Sequence, residues 1–163
     1  MIDTQDRAAS GRPLTRRLGD EAATSRLGAA LAALARPGDA LLLAGPYGAG
    51  KTALARAFLR AATGDPALVV PSPSFTLVQT YALPSGVTAW HYDLWRASGE
   101  GDLAELGWDE ARTGIVLVEW PERLGAQAPA DALTITLSPV PGEAGAREAA
   151  LAGWPGRLER LAA

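Results

Sequence analysis

Apolar residues along this chain come in two kinds of run. Ala40-Leu41-Leu42-Leu43-Ala44 and Ile115-Val116-Leu117-Val118 are short and unbroken, the pattern of strands buried on both faces of a parallel sheet. Others repeat at helical spacing. Leu27, Ala30, Leu31 and Leu34 predict one helix, with Asp20 placed to cap it, Glu21 suited to its first turn and Pro37-Gly38-Asp39 ending it near Ala35. Leu54, Ala57, Phe58 and Ala61 give a core face to a second helix over 53–62. Leu14–Leu18 reads as an edge strand. Leu77–Leu83 and Val87–Tyr92 read as antiparallel strands joined at Pro84-Ser85-Gly86. Short helical pieces are expected over 102–107 and 108–112, a late hairpin over 133–137 and 147–151, and a terminal helix over 154–161. Residues 1–12 lack periodicity and read as a disordered tail, leaving 13–163 as one domain.

The residues between strand 40–44 and helix 53–62 add chemistry to this pattern. Gly45-Pro46-Tyr47-Gly48-Ala49-Gly50-Lys51-Thr52 matches G-x-x-x-x-G-K-T, the phosphate-binding loop of P-loop NTPases. Its glycines let the backbone turn and aim N–H groups at phosphate oxygens, and the helix behind adds the positive end of its dipole. Lys51 is suited to the β- and γ-phosphates and the Thr52 hydroxyl to magnesium. Lys51 is the only lysine; the other 14 basic residues are arginine, whose planar fork substitutes poorly for a compact ammonium in a phosphate nest. Gly48 to Ala53 also fits G-x-G-x-x-A, but that dinucleotide pattern needs its first glycine at the strand end. The elements and the loop together predict an α/β protein: a three-layer P-loop NTPase fold with a mixed, mainly parallel central sheet.

Such a loop needs a carboxylate from across the sheet. Asp93 and Glu119 both end apolar strands, and spacing does not rank them. His91, the only histidine, suits a structural role as well as a chemical one, and Trp120 stands beside Glu119. The chain has no asparagine for a guanine-reading segment, so the expected nucleotide is ATP, with Mg²⁺. The net charge of −3 and the lack of a basic stretch argue against autonomous nucleic-acid binding. The absence of cysteine excludes disulfides and thiolate chemistry. No run reaches membrane-spanning length and no signal peptide is visible, so a cytoplasmic chain is expected; it is also expected to be monomeric when isolated.

Several further segments fall in one order. Leu18-Gly19-Asp20-Glu21, Ser72-Pro73-Ser74-Phe75-Thr76-Leu77-Val78, His91-Tyr92-Asp93-Leu94-Trp95-Arg96, Glu105-Leu106-Gly107 and Val118-Glu119-Trp120-Pro121-Glu122 resemble the TsaE (YjeE) family of P-loop ATPases of bacterial tRNA threonylcarbamoyladenosine synthesis. The likeness covers most of residues 14–137. It implies an ATPase, weak alone, that works with TsaD and TsaB and meets tRNA only through that complex. It places Thr52 and Glu119 at the metal with Asp93 close by, makes Asp93 necessary for hydrolysis beside Lys51 and Glu119, and makes the hydroxyls of Ser74 and Thr76 part of a switch near the γ-phosphate. With the loop residues Gly45 to Thr52, Ala53 and Trp120, it brings Arg147 to the nucleotide, near adenine. The chain departs from the family at Pro46-Tyr47, where Asp-Leu is usual, which removes an N–H and a negative charge. The rival readings are a small-molecule kinase, which needs an acceptor pocket and an arginine-bearing lid, and a nucleotide-dependent binding module with negligible hydrolysis.

Overall fold

The structure, a computed structural model, describes residues 12–162; apart from Arg12, the expected tail lies outside the described residues. The unbroken apolar runs form the middle of a seven-stranded sheet. Strand β2 (Ala40–Ala44) lies between β5 (Ile115–Glu119) and β6 (Leu133–Pro139), parallel to both. β4 (Thr88–Asp93) adds parallel to β5. The margins reverse direction. β3 (Val78–Ala82) pairs antiparallel with β4 at one edge, and β7 (Arg147–Ala152) pairs antiparallel with both β6 and β1 (Leu14–Leu18) at the other. Only β3 and β7 therefore run against the rest, in the order β1-β7-β6-β2-β5-β4-β3.

Alternation along β2 divides the core. Leu41 and Leu43 join Leu117 and Ile135 on the face covered by α1 (Glu21–Leu34) and α2 (Lys51–Thr63), where Leu27, Leu31, Leu54 and Phe58 meet them. Ala40 and Leu42 join Val116 and Val118 on the other face, covered by α3 (Glu100–Glu105), α4 (Trp108–Ala111) and the 3₁₀ segment Pro121–Gln127 through Leu103, Trp108 and Leu124. This is the expected three-layer α/β arrangement. Asp20 caps α1 as predicted, its carboxylate accepting from Ala23 N at 2.8 Å.

Two expectations change. The buried stripe of α2 is Lys51, Leu54, Ala55, Phe58 and Leu59, and Ala61 is exposed. The helix is wedged between sheet and α1, so its hidden arc extends through Ala55 and Leu59 instead of to Ala61. The terminal helix, α5, covers only Glu159–Ala162. Before it, Trp154 takes φ 46° and is buried, with the Arg157 guanidinium stacked on its ring at 4.1 Å. Arg157 in turn grips Asp39 through bonds of 2.6 and 2.9 Å, so a turn anchored to the core occupies the sequence where a helix start was expected. Among the described residues no helix is long and apolar enough to cross a membrane.

The contact of α1 with α2 rests on Gly28, where an added Cβ would lie 2.5 Å from Ala57 Cβ and 2.8 Å from Phe58 N. Alanine gains about 1 kcal/mol of helix propensity over glycine, but overpacking against backbone costs about 1–3 kcal/mol. Gly28→Ala is therefore expected to lower the urea midpoint at unchanged m-value; a raised midpoint would mean that the helices part freely.

Candidate functional site

Strand register assembles the site. Asp93 pairs with Glu119 across β4 and β5, and Leu43 pairs with Glu119 across β5 and β2. Three neighbouring parallel strands thus end together, and ligands of open α/β sheets sit beyond such carboxyl ends. The chain leaves β2 through Gly45, whose φ is 141° and whose added Cβ would lie 2.5 Å from Leu137 O, so only glycine lets the loop pass β6 this closely. A bond from Ala49 N to Pro46 O, 3.1 Å, closes the next turn.

Arg147 of β7 holds the loop from behind. Its Nε donates to Ala49 O and its Nη2 to Gly48 O, each at 3.1 Å, while Nη1 donates to Ala146 O at 2.9 Å. In a trans peptide the C=O and the following N–H point in opposite directions. Drawing the Gly48 and Ala49 carbonyls outward therefore turns the next N–H groups toward the cleft. The N-cap of α2, Gly50, offers no side chain to the first-turn N–H groups of the helix, which leaves them for an anion.

Lys51 folds back over its own loop. Its Nζ donates to Gly45 O at 2.6 Å and Pro46 O at 2.9 Å and lies 4.0 Å from the centre of the Trp120 ring. Burial pushes the ammonium below its ordinary pKa, against the opposing pull of Glu119, Glu122 and Asp93. Thr52 Oγ1 donates to Glu119 Oε1 at 2.8 Å, and His91 Nε2 meets Glu119 Oε2 at 2.7 Å. Asp93 accepts from Ser72 Oγ at 3.1 Å and from Trp95 N at 3.0 Å. His91, Asp93, Glu119 and Lys51 are all buried. Trp120 has φ 59° and carries Trp95 on its ring at a centroid distance of 4.3 Å.

Lys51, Thr52, Ser72, Asp93, Trp95, Glu119 and Trp120 line one cleft of about 450 Å³ together with Tyr47, Gly48, Ala49, Gly50, Ala53 and Ser74, and His91 lies behind its wall. Gly45 and Pro46 are not in its wall and reach it through the carbonyls that hold Lys51. Thr76 is exposed, its hydroxyl 3.2 Å from Gln79 Nε2, and Arg147 stands behind the loop. Ser72 and Trp95, not among the sequence candidates, are in the wall. The signal for both was local: Ser72 shares the hydroxyl-rich stretch with Ser74, and Trp95 follows Asp93 by two residues.

The donor set suits a magnesium nucleotide. N–H groups and one ammonium face where anionic oxygens would bind, and a hydroxyl and two carboxylates offer hard oxygens while leaving most of an octahedron to phosphate and water, as magnesium prefers.

A sequence profile described as the threonylcarbamoyl adenosine biosynthesis protein TsaE matches residues 18–148. The tRNA threonylcarbamoyladenosine biosynthesis protein TsaE of Rickettsia felis is 40% identical over 106 residues, 64% of this chain. The chain spans 61% of the length of that relative and 59% of the one from Rickettsia conorii. The protein of the same name from Bacillus subtilis is 37% identical over 109 residues, 65% of each chain. The crystal structure of Bacillus subtilis YdiB superposes with a TM-score of 0.72 at 28% identity, covering 93% of both chains.

Arg147→Met frees two loop carbonyls and is expected to weaken nucleoside triphosphate binding about tenfold, as the loss of bonds to a charged group implies, without changing the preference among bases. Calorimetric titration with ATP and GTP checks both parts; a selective loss of ATP would instead make Arg147 an adenine contact.

Proposed function

The chain belongs to the TsaE family of threonylcarbamoyl adenosine biosynthesis proteins, and we propose that it is the ATP-binding and ATP-hydrolysing member of a tRNA-modifying complex with TsaD and TsaB. One observation carries the reading: Lys51, Thr52, Asp93 and Glu119 converge on a phosphate-binding loop at the ends of adjoining strands. In this reading Lys51 exchanges the carbonyls of Gly45 and Pro46 for the β- and γ-phosphate oxygens of ATP. The loop N–H groups from Gly48 to Thr52 take the remaining oxygens, with Ala53 in the wall behind them. Thr52 and Glu119 would hold magnesium, with Asp93 beside it, and the bound ion would spread the phosphate charge. Asp93, fixed by Ser72 and Trp95 N, orients the attacking water and takes its proton as the bond from the γ-phosphorus to ADP breaks. Trp120 walls the site against Lys51. Ser74 and Thr76 lie on the stretch that would reorganise around the γ-phosphate, and Arg147 sets the loop from behind.

The reaction should be slow in the isolated chain. Arg96 stacks on Phe75 at 4.7 Å and Arg123 donates to Ala97 O at 3.3 Å, so neither is aimed at a phosphate. A supplied arginine raises such reactions by about 10³–10⁵. Tyr47 and Trp95 are exposed in the wall of the cleft and Phe75 is exposed next to Ser74 in that wall, and aromatic rings beside arginine are what interface centres favour. This face would meet TsaD–TsaB, leaving tRNA to the other subunits, and a cytoplasmic monomer that joins the complex on binding ATP accounts for both features.

Lys51→Ala is expected to lose about 10- to 100-fold in ATP affinity, equivalent to about 1.5–3 kcal/mol. Asp93→Asn should keep affinity and lose hydrolysis, as seen by calorimetry and a steady-state ATPase assay. TsaD–TsaB should retain more of this chain with a non-hydrolysable ATP analogue than with ADP and raise its ATPase rate. Capture indifferent to nucleotide would remove the complex from the proposal. Phosphate transfer to a small acceptor would install a kinase, and tight ATP binding with no turnover in any combination would leave a binding module.

A further inference from the structure

We propose that His91 is a positioning residue for magnesium: it holds Glu119 so that Glu119 in turn holds the Thr52 hydroxyl with its lone pairs free for the ion. The proposal rests on the magnesium-nucleotide reading above. His91 is completely enclosed, and it lies two residues before Asp93 on β4, hence on the same face of the sheet. The β4–β5 register sets Asp93 beside Glu119 and His91 one step behind, opposite Leu117. From there Nε2 reaches Glu119 Oε2 at 2.7 Å, the length of a bond to an ionised acceptor. The other oxygen, Oε1, accepts the Thr52 hydroxyl at 2.8 Å. Each carboxylate oxygen is thus tied by one donor, and the plane of the group is fixed from both ends. With its hydrogen spent on Glu119, Thr52 Oγ1 presents only lone pairs elsewhere, as a metal ligand must.

The ring's other nitrogen identifies the tautomer. Nδ1 is buried with no hydrogen-bond partner. A proton there would be an unsatisfied buried donor, whereas a bare lone pair costs less. The Glu119 carboxylate offers only acceptors, so Nε2 must carry the hydrogen. An imidazole that donates one bond to a metal-site carboxylate, with its other side closed in the core, fixes orientation without meeting substrate. Partners of this outer kind are worth about 10–100-fold in metal affinity.

The test uses the whole chain and measures binding instead of turnover. ATP affinity is measured by calorimetry across a Mg²⁺ series and again in EDTA, for the parent, His91→Leu and His91→Gln. The expected result is a 10- to 100-fold higher Mg²⁺ requirement for His91→Leu, with affinity in EDTA unchanged. His91→Gln, whose amide can donate to Glu119, should recover most of the parent's requirement. Equal Mg²⁺ requirements in parent and His91→Leu would overturn the proposal while leaving the nucleotide reading intact. A parent that binds ATP without regard to Mg²⁺ would overturn the magnesium reading and this proposal with it. If His91→Leu does not fold, the unaltered chain decides: His91 is the only histidine, so its side-chain ¹⁵N spectrum holds one pair of signals. A protonated Nε2 with a bare Nδ1 is expected, and a protonated Nδ1 would overturn the proposal.

Discussion

The register of β2, β4 and β5 is the constraint on which the rest depends. All five residues of β5 are buried, so the strand has no solvent face to absorb a shift. A slip by one residue would turn Val116 and Val118 into the α1–α2 layer and carry Glu119 out of line with Asp93. The same register that packs the two apolar layers therefore places two acids side by side, with Gly45 starting its turn where the Leu43–Glu119 pairing ends. Packing and chemistry are fixed by one set of backbone bonds.

That arrangement buries charge, and each buried charge has been given partners. Unpaired ions in a protein interior are strongly disfavoured. Lys51 has two carbonyls and the face of a ring; Glu119 has a hydroxyl and an imidazole; Asp93 has a hydroxyl and a backbone N–H. On the proposed reading the partners of Lys51 are the ones that would be exchanged. Neutral carbonyls satisfy its hydrogens without cancelling its charge, so burial still pushes its pKa down. An anionic oxygen in their place would supply the missing charge. The ammonium is thus held by its own loop, while the N–H groups at the start of α2 have no side-chain cap.

Most of the fold was legible because local signals agreed with tertiary ones. The unbroken runs at 40–44 and 115–118 became central strands, and Asp20 and Pro37-Gly38 bounded α1. What stayed hidden depended on partners distant in sequence. Ala61 looked buried from helical spacing, but only the position of α1 decides which arc of α2 is covered. Trp154 looked like a helix start, but its ring and Arg157 are anchored by Asp39. At the site, residue types and strand ends pointed to Lys51, Thr52, Asp93 and Glu119. The division of the Glu119 oxygens between Thr52 and His91 required the register, and the grip of Arg147 on the loop carbonyls required the path of β7. Neither is encoded by spacing within a motif.

The same geometry explains why Pro46-Tyr47 is compatible with the loop. In the sequence, proline removes an N–H from a segment whose purpose is to present N–H groups. In the structure, position 46 is used through its carbonyl, which accepts from both Ala49 N and Lys51 Nζ, and proline retains that acceptor while fixing φ. Tyr47 is 91% exposed, so its bulk displaces nothing in the core. Pro46 thus serves the inward side of the turn through its carbonyl, and Tyr47 stands outward at the mouth of the cleft. The pair therefore bears on what enters or covers the cleft.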